Sequence, residues 1–427
     1  MWHKFKTKKV KTILIIYPHW PPSNLAGVHR ARLISNFLNN FGWKPLILTV
    51  KPEFYEEKPD YDLCKTVSAD TEVIYTNAKP APKHFRIIGD IALRSFRFLK
   101  KEALKIIATR KIDFIWIPIP AYYTAILGRQ LYEKTKIPYG IDYIDPWVNG
   151  FPNSHKPLTR AWLSNLIAKL LEPYSVKKAS LISGVSTPYY QAVLDRNFSN
   201  KNILHVGMPY GFDPNDHKIA AAEVKYPWSD IPNCKPIVYA GMFLPKSHTY
   251  VRLLFSAIMN LIDNGRWDKN IHLFFVGTGN YPEKKFSEYA HEYGIEDYVH
   301  EIHDRYPFLH ILNFLSNSFG SLVIGSTEKH YTASKTFQAI LSEKPVFAIF
   351  HEESSAVEVL KEAKSDVYLV CYKEKENEKI FSERIQNIFY RFMKQTDNWQ
   401  PNYMSLDKYS AKNSAAMLVE KLNQIVK

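Results

Sequence analysis

The sequence predicts an α/β protein made of two Rossmann-like, doubly wound domains in tandem. Three observations carry this expectation. Short apolar runs alternate with longer helix-like stretches along the whole chain, which is the βαβ rhythm of open parallel sheets. Most of those runs are continuously apolar, as strands covered on both faces must be. At 427 residues and 46% hydrophobic content, the chain exceeds what one core serves and suits two.

In chain order, the first half offers strands at "KTILIIYP" from Lys11, "PLILTV" from Pro45, "EVIYT" from Glu72, "DFIWIPIP" from Asp113, "YGIDYID" from Tyr139, "ASLISGVS" from Ala179 and "NILHVGMP" from Asn202. Between them, "HRARLISNFLNNFG" and "AYYTAILGRQLYEKT" carry helical periodicity. A first domain therefore covers residues 1–213. Residues 214–235, "PNDHKIAAAEVKYPWSDIPNCK", break the rhythm with Pro, Asn and charge and read as a linker. The pattern restarts over 236–402 with "PIVYAGM", "IHLFFVGTG", "YVHEIHD", "GSLVIGS", "KPVFAIF" and "DVYLVCY". Residues 403–427 end the chain in a helix-like stretch, "SLDKYSAKNSAAMLVEKLNQIVK". Ligands of such sheets bind beyond the carboxyl ends of the strands, so a cleft facing both sets of strand ends is the expected site.

Composition excludes several classes. The longest apolar runs are far shorter than the roughly 18–20 residues that cross a bilayer. The basic start "MWHKFKTKKVKTILIIYPHWPP" meets His, Trp and Pro with no small-residue cleavage site, so it reads as a first strand. Three scattered cysteines, Cys64, Cys234 and Cys371, suit neither a disulfide framework nor a metal knuckle and point to a reducing cytoplasm. The formal charge of +14 is unevenly spread: residues 1–200 hold 30 Lys and Arg against 15 Asp and Glu, leaving 26 against 27. Within that half, residues 83–111 carry nine basic and two acidic residues with apolar residues at helical spacing. This segment either lies on an anionic membrane surface or packs on the core with a basic outer face. No zinc-finger spacing, RNP-like aromatic motif or helix-turn-helix signal supports a nucleic-acid partner.

Seven segments in order resemble the GT-B glycosyltransferases of family four, especially bacterial surface-polysaccharide members: "YPHWPPSNLAGVHRARLISNFLNNFGWKPLILT", "YIDPW", "SGVSTPYY", "MPYGFD", "IVYAGMFLPKSHTYVRLLFSAI", "FFVGTGNY" and "ASKTFQAILSEKPVFAI". The resemblance implies a GT-B fold that moves a sugar from a nucleotide-sugar donor, held mainly by the second domain, to an acceptor held by the first. It also implies retention of configuration and a terminal helix that crosses back to the first domain.

On that resemblance the donor residues are Gly27, Gly241, Gly277, Arg305, His330, Ser334, Lys335, Thr336 and Gln338. A diphosphate leaving group gathers charge as the glycosidic bond breaks, so it needs fixed positive potential. Ser334, Lys335 and Thr336 stand where a strand gives way to a helix, whose amino end presents free N–H groups and a positive dipole end. Lys335 and Lys246 add cations there, or are a helix cap and a solvated lysine. Gly27 either lets its loop approach a phosphate or sugar, or is a plain turn glycine. Arg30, Arg32 and Asp142 are the expected acceptor contacts, with either arginine otherwise on the surface. Asp145 resembles the acidic residue of an "RDPW"-like signature, and either orients or deprotonates an acceptor hydroxyl, or caps a helix after Pro146. The expected catalytic set is Asp145, Lys246 and Lys335.

Two departures from the family stand out. Its paired glutamates fall here at His330 and Gln338, and its arginine before the Asp-Pro-Trp run is Ile144. Glutamine still hydrogen-bonds a ribose hydroxyl, without the charge assistance of a carboxylate. No metal-ligand spacing occurs, and lysines with helix amides hold a diphosphate without an ion, so neither a metal nor another cofactor is expected. The expected protein is a cytoplasmic glycosyltransferase, peripheral on the inner face of the plasma membrane, acting on a glycan or lipid-linked acceptor. The alternative is a degenerate GT-B module that binds a glycan or partner protein without turnover.

Overall fold

A computed structural model describes residues 10–81, 90–148, 156–198, 202–244, 246–280, 282–327 and 335–427. The chain divides into two units, Met1–Asp213 with Tyr409–Lys427, and Pro214–Lys408.

The first unit holds strands β1 (Lys11–Ile16), β2 (Trp43–Val50), β3 (Glu72–Thr76), β4 (Phe114–Ile119), β5 (Tyr139–Tyr143), β6 (Leu181–Gly184) and β7 (Leu204–Gly207). Its helices are α1 (Ala26–Leu38), α2 (Ile91–Thr109), α3 (Ala125–Thr135), α4 (Arg160–Val176) and α5 (Thr187–Phe198). The strands pair in parallel in the order β3-β2-β1-β4-β5-β6-β7. The order reverses at β1, where Leu14 faces Leu46 of β2 and Ile115 of β4. β1, β2 and β4 are almost wholly buried, which is why they read as unbroken apolar runs.

The second unit repeats the plan. Its strands are β8 (Lys235–Ala240), β9 (Ile271–Val276), β10 (Val299–Ile302), β11 (Gly320–Ile324), β12 (Val346–His351) and β13 (Leu369–Tyr372). Its helices are α6 (His248–Asp263), α7 (Phe286–Glu292), α8 (Phe308–Ser316), α9 (Lys335–Leu341), α10 (Ser355–Glu362) and α11 (Glu378–Lys394). The sheet order is β10-β9-β8-β11-β12-β13, all parallel, with its switch at β8. Successive residues of β8 serve opposite faces: Ile237 and Tyr239 join one core, Val238 the other.

One expectation is revised, and one open alternative gains support. Residues 214–235 do more than join the halves: Tyr226 and Trp228 pack on Phe274 and Phe314, with Val224, Ile231 and Cys234 against the same core. In the basic segment, residues 82–89 lie outside the described part, and α2 packs Ile91, Leu99, Ala103 and Ile106 into the first core. Much of the apolar face of α2 is thus covered, while Phe98 faces out with Arg97, Lys101 and Lys105.

The terminal helix α12 (Ala411–Ile425) packs on α1. Ser410 caps it by accepting from the Asn413 N–H. Ser414 donates to Pro209 O at 2.8 Å, and Trp43 Nε1 donates to Asn423 Oδ1 at 3.2 Å.

Candidate functional site

At the carboxyl end of β8, Lys335 projects from the start of α9 across Gly241. Its Nζ donates to Tyr239 Oη and to Met242 O, both at 3.1 Å, and lies 4.5 Å from the centre of the Tyr239 ring. Tyr239 Oη donates in turn to Met242 O at 2.8 Å. Every partner among the described residues is neutral, and burial lowers the ammonium pKa to about 7. Gly241 makes this possible. Its φ is +119°, and a Cβ there would stand 2.5 Å from Lys335 Cε and 2.8 Å from Nζ.

The neighbouring loops are tied together by backbone bonds. Gly241 N donates to Val276 O at 2.8 Å, and Gly279 N to His303 O at 3.1 Å. Thr278 Oγ1 lies 3.0 Å from His303 Nδ1. Thr327 N donates to the carbonyl of Lys246 at 3.0 Å, fixing the backbone of a lysine whose side chain is exposed. Gly277 turns the chain after β9, and Arg305 is exposed after β10.

Two expected donor residues sit otherwise. Thr336 is 1% exposed and its Oγ1 has no partner among the described residues, so it faces the interior. Gln338 Oε1 lies 2.8 Å from His217 Nε2, and His217 Nδ1 lies 3.2 Å from Ser316 Oγ. Burial lowers the His217 pKa, against the opposing pull of Gln338, so a neutral ring donating to Gln338 suits the geometry. Gln338 is therefore engaged within its own unit. His330 and Ser334 lie outside the described residues.

In the first unit, the carboxyl edge of the sheet is a different object. Arg30 and Asp142, both fully buried, form a two-pronged ion pair: Nε to Oδ2 at 3.0 Å and Nη2 to Oδ1 at 3.2 Å. Arg30 Nη1 also donates to Met208 O at 3.2 Å, and Ser183 Oγ to Asp142 Oδ1 at 2.7 Å. The two residues expected to meet an acceptor hold each other and tie α1 to β5. Arg32 is also buried, 3.5 Å from His29 Nδ1. Gly27 serves packing, since a Cβ there would overlap the Tyr17 hydroxyl at 2.0 Å.

Beside this pair a cavity of about 480 Å³ is lined by Tyr17, His19, Gly27, Glu57, Asp90 and Arg94 among others, within the size range of small-molecule sites. His19 Nδ1 lies 3.0 Å from Glu57 Oε1, which also accepts from Ser23 Oγ. Despite partial burial, those two bonds hold the Glu57 carboxyl down at about 2. With Nδ1 engaged, Nε2 is the nitrogen of His19 left for a ligand. Asp145 lies just past β5 with the hydroxyls of Tyr17, Tyr122 and Tyr210 as electrostatic neighbours. Although its edge meets solvent, loss of water around it raises its carboxyl above the usual aspartate value. It does not cap a helix after Pro146: Trp147 stacks on Tyr122, and the next described helix is α4.

Sequence reasoning missed His19, Glu57 and Tyr239. His19 left a signal, a polar ring in "YPHWPP" directly after a strand. Glu57 left none, because its pairing to His19 spans 38 residues. Among the described residues no group of three or more His, Cys, Asp or Glu could hold a metal ion, and no helix is long and apolar enough to cross a membrane.

No protein-family model and no curated protein matches the chain in sequence. Solved structures do match in fold. Anabaena HepE in complex with UDP and glucose aligns at 14% identity and a TM-score of 0.55, covering 97% of this chain and 100% of that one. A Rickettsia africae glycosyltransferase aligns at 16% identity and a TM-score of 0.56, covering 98% and 99%. An E. coli trehalose-6-phosphate protein bound with UDP-2-fluoro glucose aligns at 12% identity and a TM-score of 0.57, covering 97% and 100%. These likenesses show the GT-B fold.

Proposed function

We propose that the protein is a nucleotide-sugar-dependent glycosyltransferase whose second unit holds the donor. The observation that carries the reading is the Lys335 ammonium at the carboxyl end of β8, with no carboxylate against it among the described residues and a pKa near 7. A buried cation with only neutral partners is costly; a diphosphate supplies the missing charge. In the reaction the bond from the sugar's anomeric carbon to the diphosphate breaks, one to the acceptor oxygen forms, and the acceptor hydroxyl's proton passes to the departing diphosphate. Charge growing on the leaving phosphate is drawn to Lys335, with Lys246, Arg305 and the Gly241 and Gly277 turns around the donor. A bound lysine at this place neutralises the diphosphate without a divalent ion, so we propose metal independence. HepE and the E. coli protein, both solved with uridine nucleotides, support a uridine diphosphate donor.

The acceptor belongs in the first unit's cavity, where His19 Nε2 orients the incoming hydroxyl, with Asp145 near Tyr17 of its wall. By the sequence resemblance, transfer retains configuration and serves cell-surface glycan assembly on a glycan or lipid-linked acceptor, at the cytoplasmic face of a membrane.

The test is a thermal-shift screen without added metal against UDP, GDP, ADP, CMP and dTDP and their sugars. A ligand at a hundred times its dissociation constant adds about 2.7 kcal/mol of stability. One nucleotide family is expected to stabilise the protein, and Gly241→Ala, which drives a methyl into Lys335, to reduce the shift. Absence of any shift would sink the donor reading and favour a module without turnover.

A further inference from the structure

Helix α4 carries a large apolar stripe on its exposed face. Its buried face is Asn165, Ala168, Glu172, Ser175 and Val176, of which Ala168 and Val176 join the core with Leu171 partly buried against it. Its outward face carries Leu163 at 51% exposure, Leu166 at 41%, Leu170 at 68% and Tyr174 at 38%. Offsets of three, seven and eleven residues put these four side chains on one stripe. A soluble helix reverses this arrangement, so the stripe marks an interaction surface.

Charge identifies the partner. The stretch 156–178 holds five basic residues and one acidic residue. Arg160, Lys169, Lys177 and Lys178 are exposed beside the stripe, whereas the acidic residue, Glu172, is fully buried and paired to Arg196 at 2.7 Å. The neighbouring α3 packs against both α4 and α2, and α2 turns Arg97, Lys101 and Lys105 outward. An apolar stripe in a basic field fits the headgroup zone of an anionic bilayer, which takes the leucines and neutralises the lysines. A second copy fits worse. A two-fold contact would set the same basic residues against themselves, and one helix face of roughly 25 Å by 10 Å falls short of the ~800 Å² per partner of a stable interface.

We infer that α4 docks the protein in the plane of an anionic membrane, through Leu163, Leu166, Leu170 and Tyr174, with the flanking lysines on lipid headgroups. This deepens the membrane-side placement proposed above and moves the main contact from α2, most of whose apolar residues pack into the core, to α4.

The experiment is co-sedimentation of the full chain, without nucleotide, with vesicles of phosphatidylcholine alone or mixed with phosphatidylglycerol. Binding is expected only to the mixed vesicles and to weaken with salt. Leu166→Gln with Leu170→Gln should weaken it at least tenfold while leaving the unfolding midpoint unchanged, since both side chains already face water. Lys169→Gln and Lys177→Gln should each cost about fivefold. The proposal is overturned if wild type ignores the mixed vesicles or if the leucine variant binds them as well as wild type. It is equally overturned if light scattering shows a dimer that the leucine variant dissociates, which would give the stripe to a second copy. Because no nucleotide is present, failure here leaves the donor reading intact, and failure of the nucleotide screen leaves this one intact.

Discussion

The two sheets share a plan, yet their carboxyl edges solve opposite electrostatic problems. In the first unit the central charges at the edge are paired: Arg30 meets Asp142, and Glu57 meets His19. In the second, Lys335 is lowered into neutral surroundings with no carboxylate against it among the described residues. A satisfied pair rigidifies a wall. An uncompensated cation stores a need for an anion, and that need is what supports the donor site proposed for the second edge.

The largest test of this contrast compares the two cations. Arg30→Met leaves Asp142 buried and unpaired, so it should destabilise the protein by about 3–5 kcal/mol, read by urea denaturation. Lys335→Met leaves no charge behind; its midpoint should match or exceed wild type, while the nucleotide-induced shift disappears. If both variants lose similar stability, Lys335 is a structural residue and the contrast fails.

A finer test uses pH. The folded pKa of Lys335 lies near 7, below the ordinary lysine value of about 10.4. Between those values the unfolded chain binds the extra proton, so stability should rise with pH across that window. Lys335→Met should flatten that rise. The charged form is the one that binds diphosphate, so the dissociation constant should grow about tenfold per unit above pH 7, as measured by calorimetry.

The smallest expected effect is at Glu57. Its folded pKa of about 2 is depressed below the ordinary glutamate value. It therefore adds stability above about pH 4.3 that is lost as pH falls toward 2. Glu57→Gln should remove that part of the acid limb and raise the apparent KM for acceptor more than it lowers kcat, because His19 loses its orientation.

The reach of the sequence can be judged residue by residue. The runs "TILII" and "FIWIPI" announced β1 and β4 because a doubly covered strand leaves no room for polar residues. Lys335 was legible too, since a strand-to-helix junction is a local pattern. Gln338 was legible as an oddity, but not its bond to His217, which lies 121 residues away. Arg30 and Asp142 look like ligand contacts in a list of residues; 112 residues separate them, and only the fold shows that each is the other's partner. The stripe on α4 illustrates the same limit, since periodicity reveals that a helix has an apolar side but not which side faces the core. Sequence by itself determined the strands, the helices and the charge of each half, because those follow from periods of two and 3.6 and from composition. Tertiary structure alone decided which charges cancel and which cation meets only neutral groups among the described residues, because electrostatic partners are chosen by distance in space, and sequence separation carries almost no information about that.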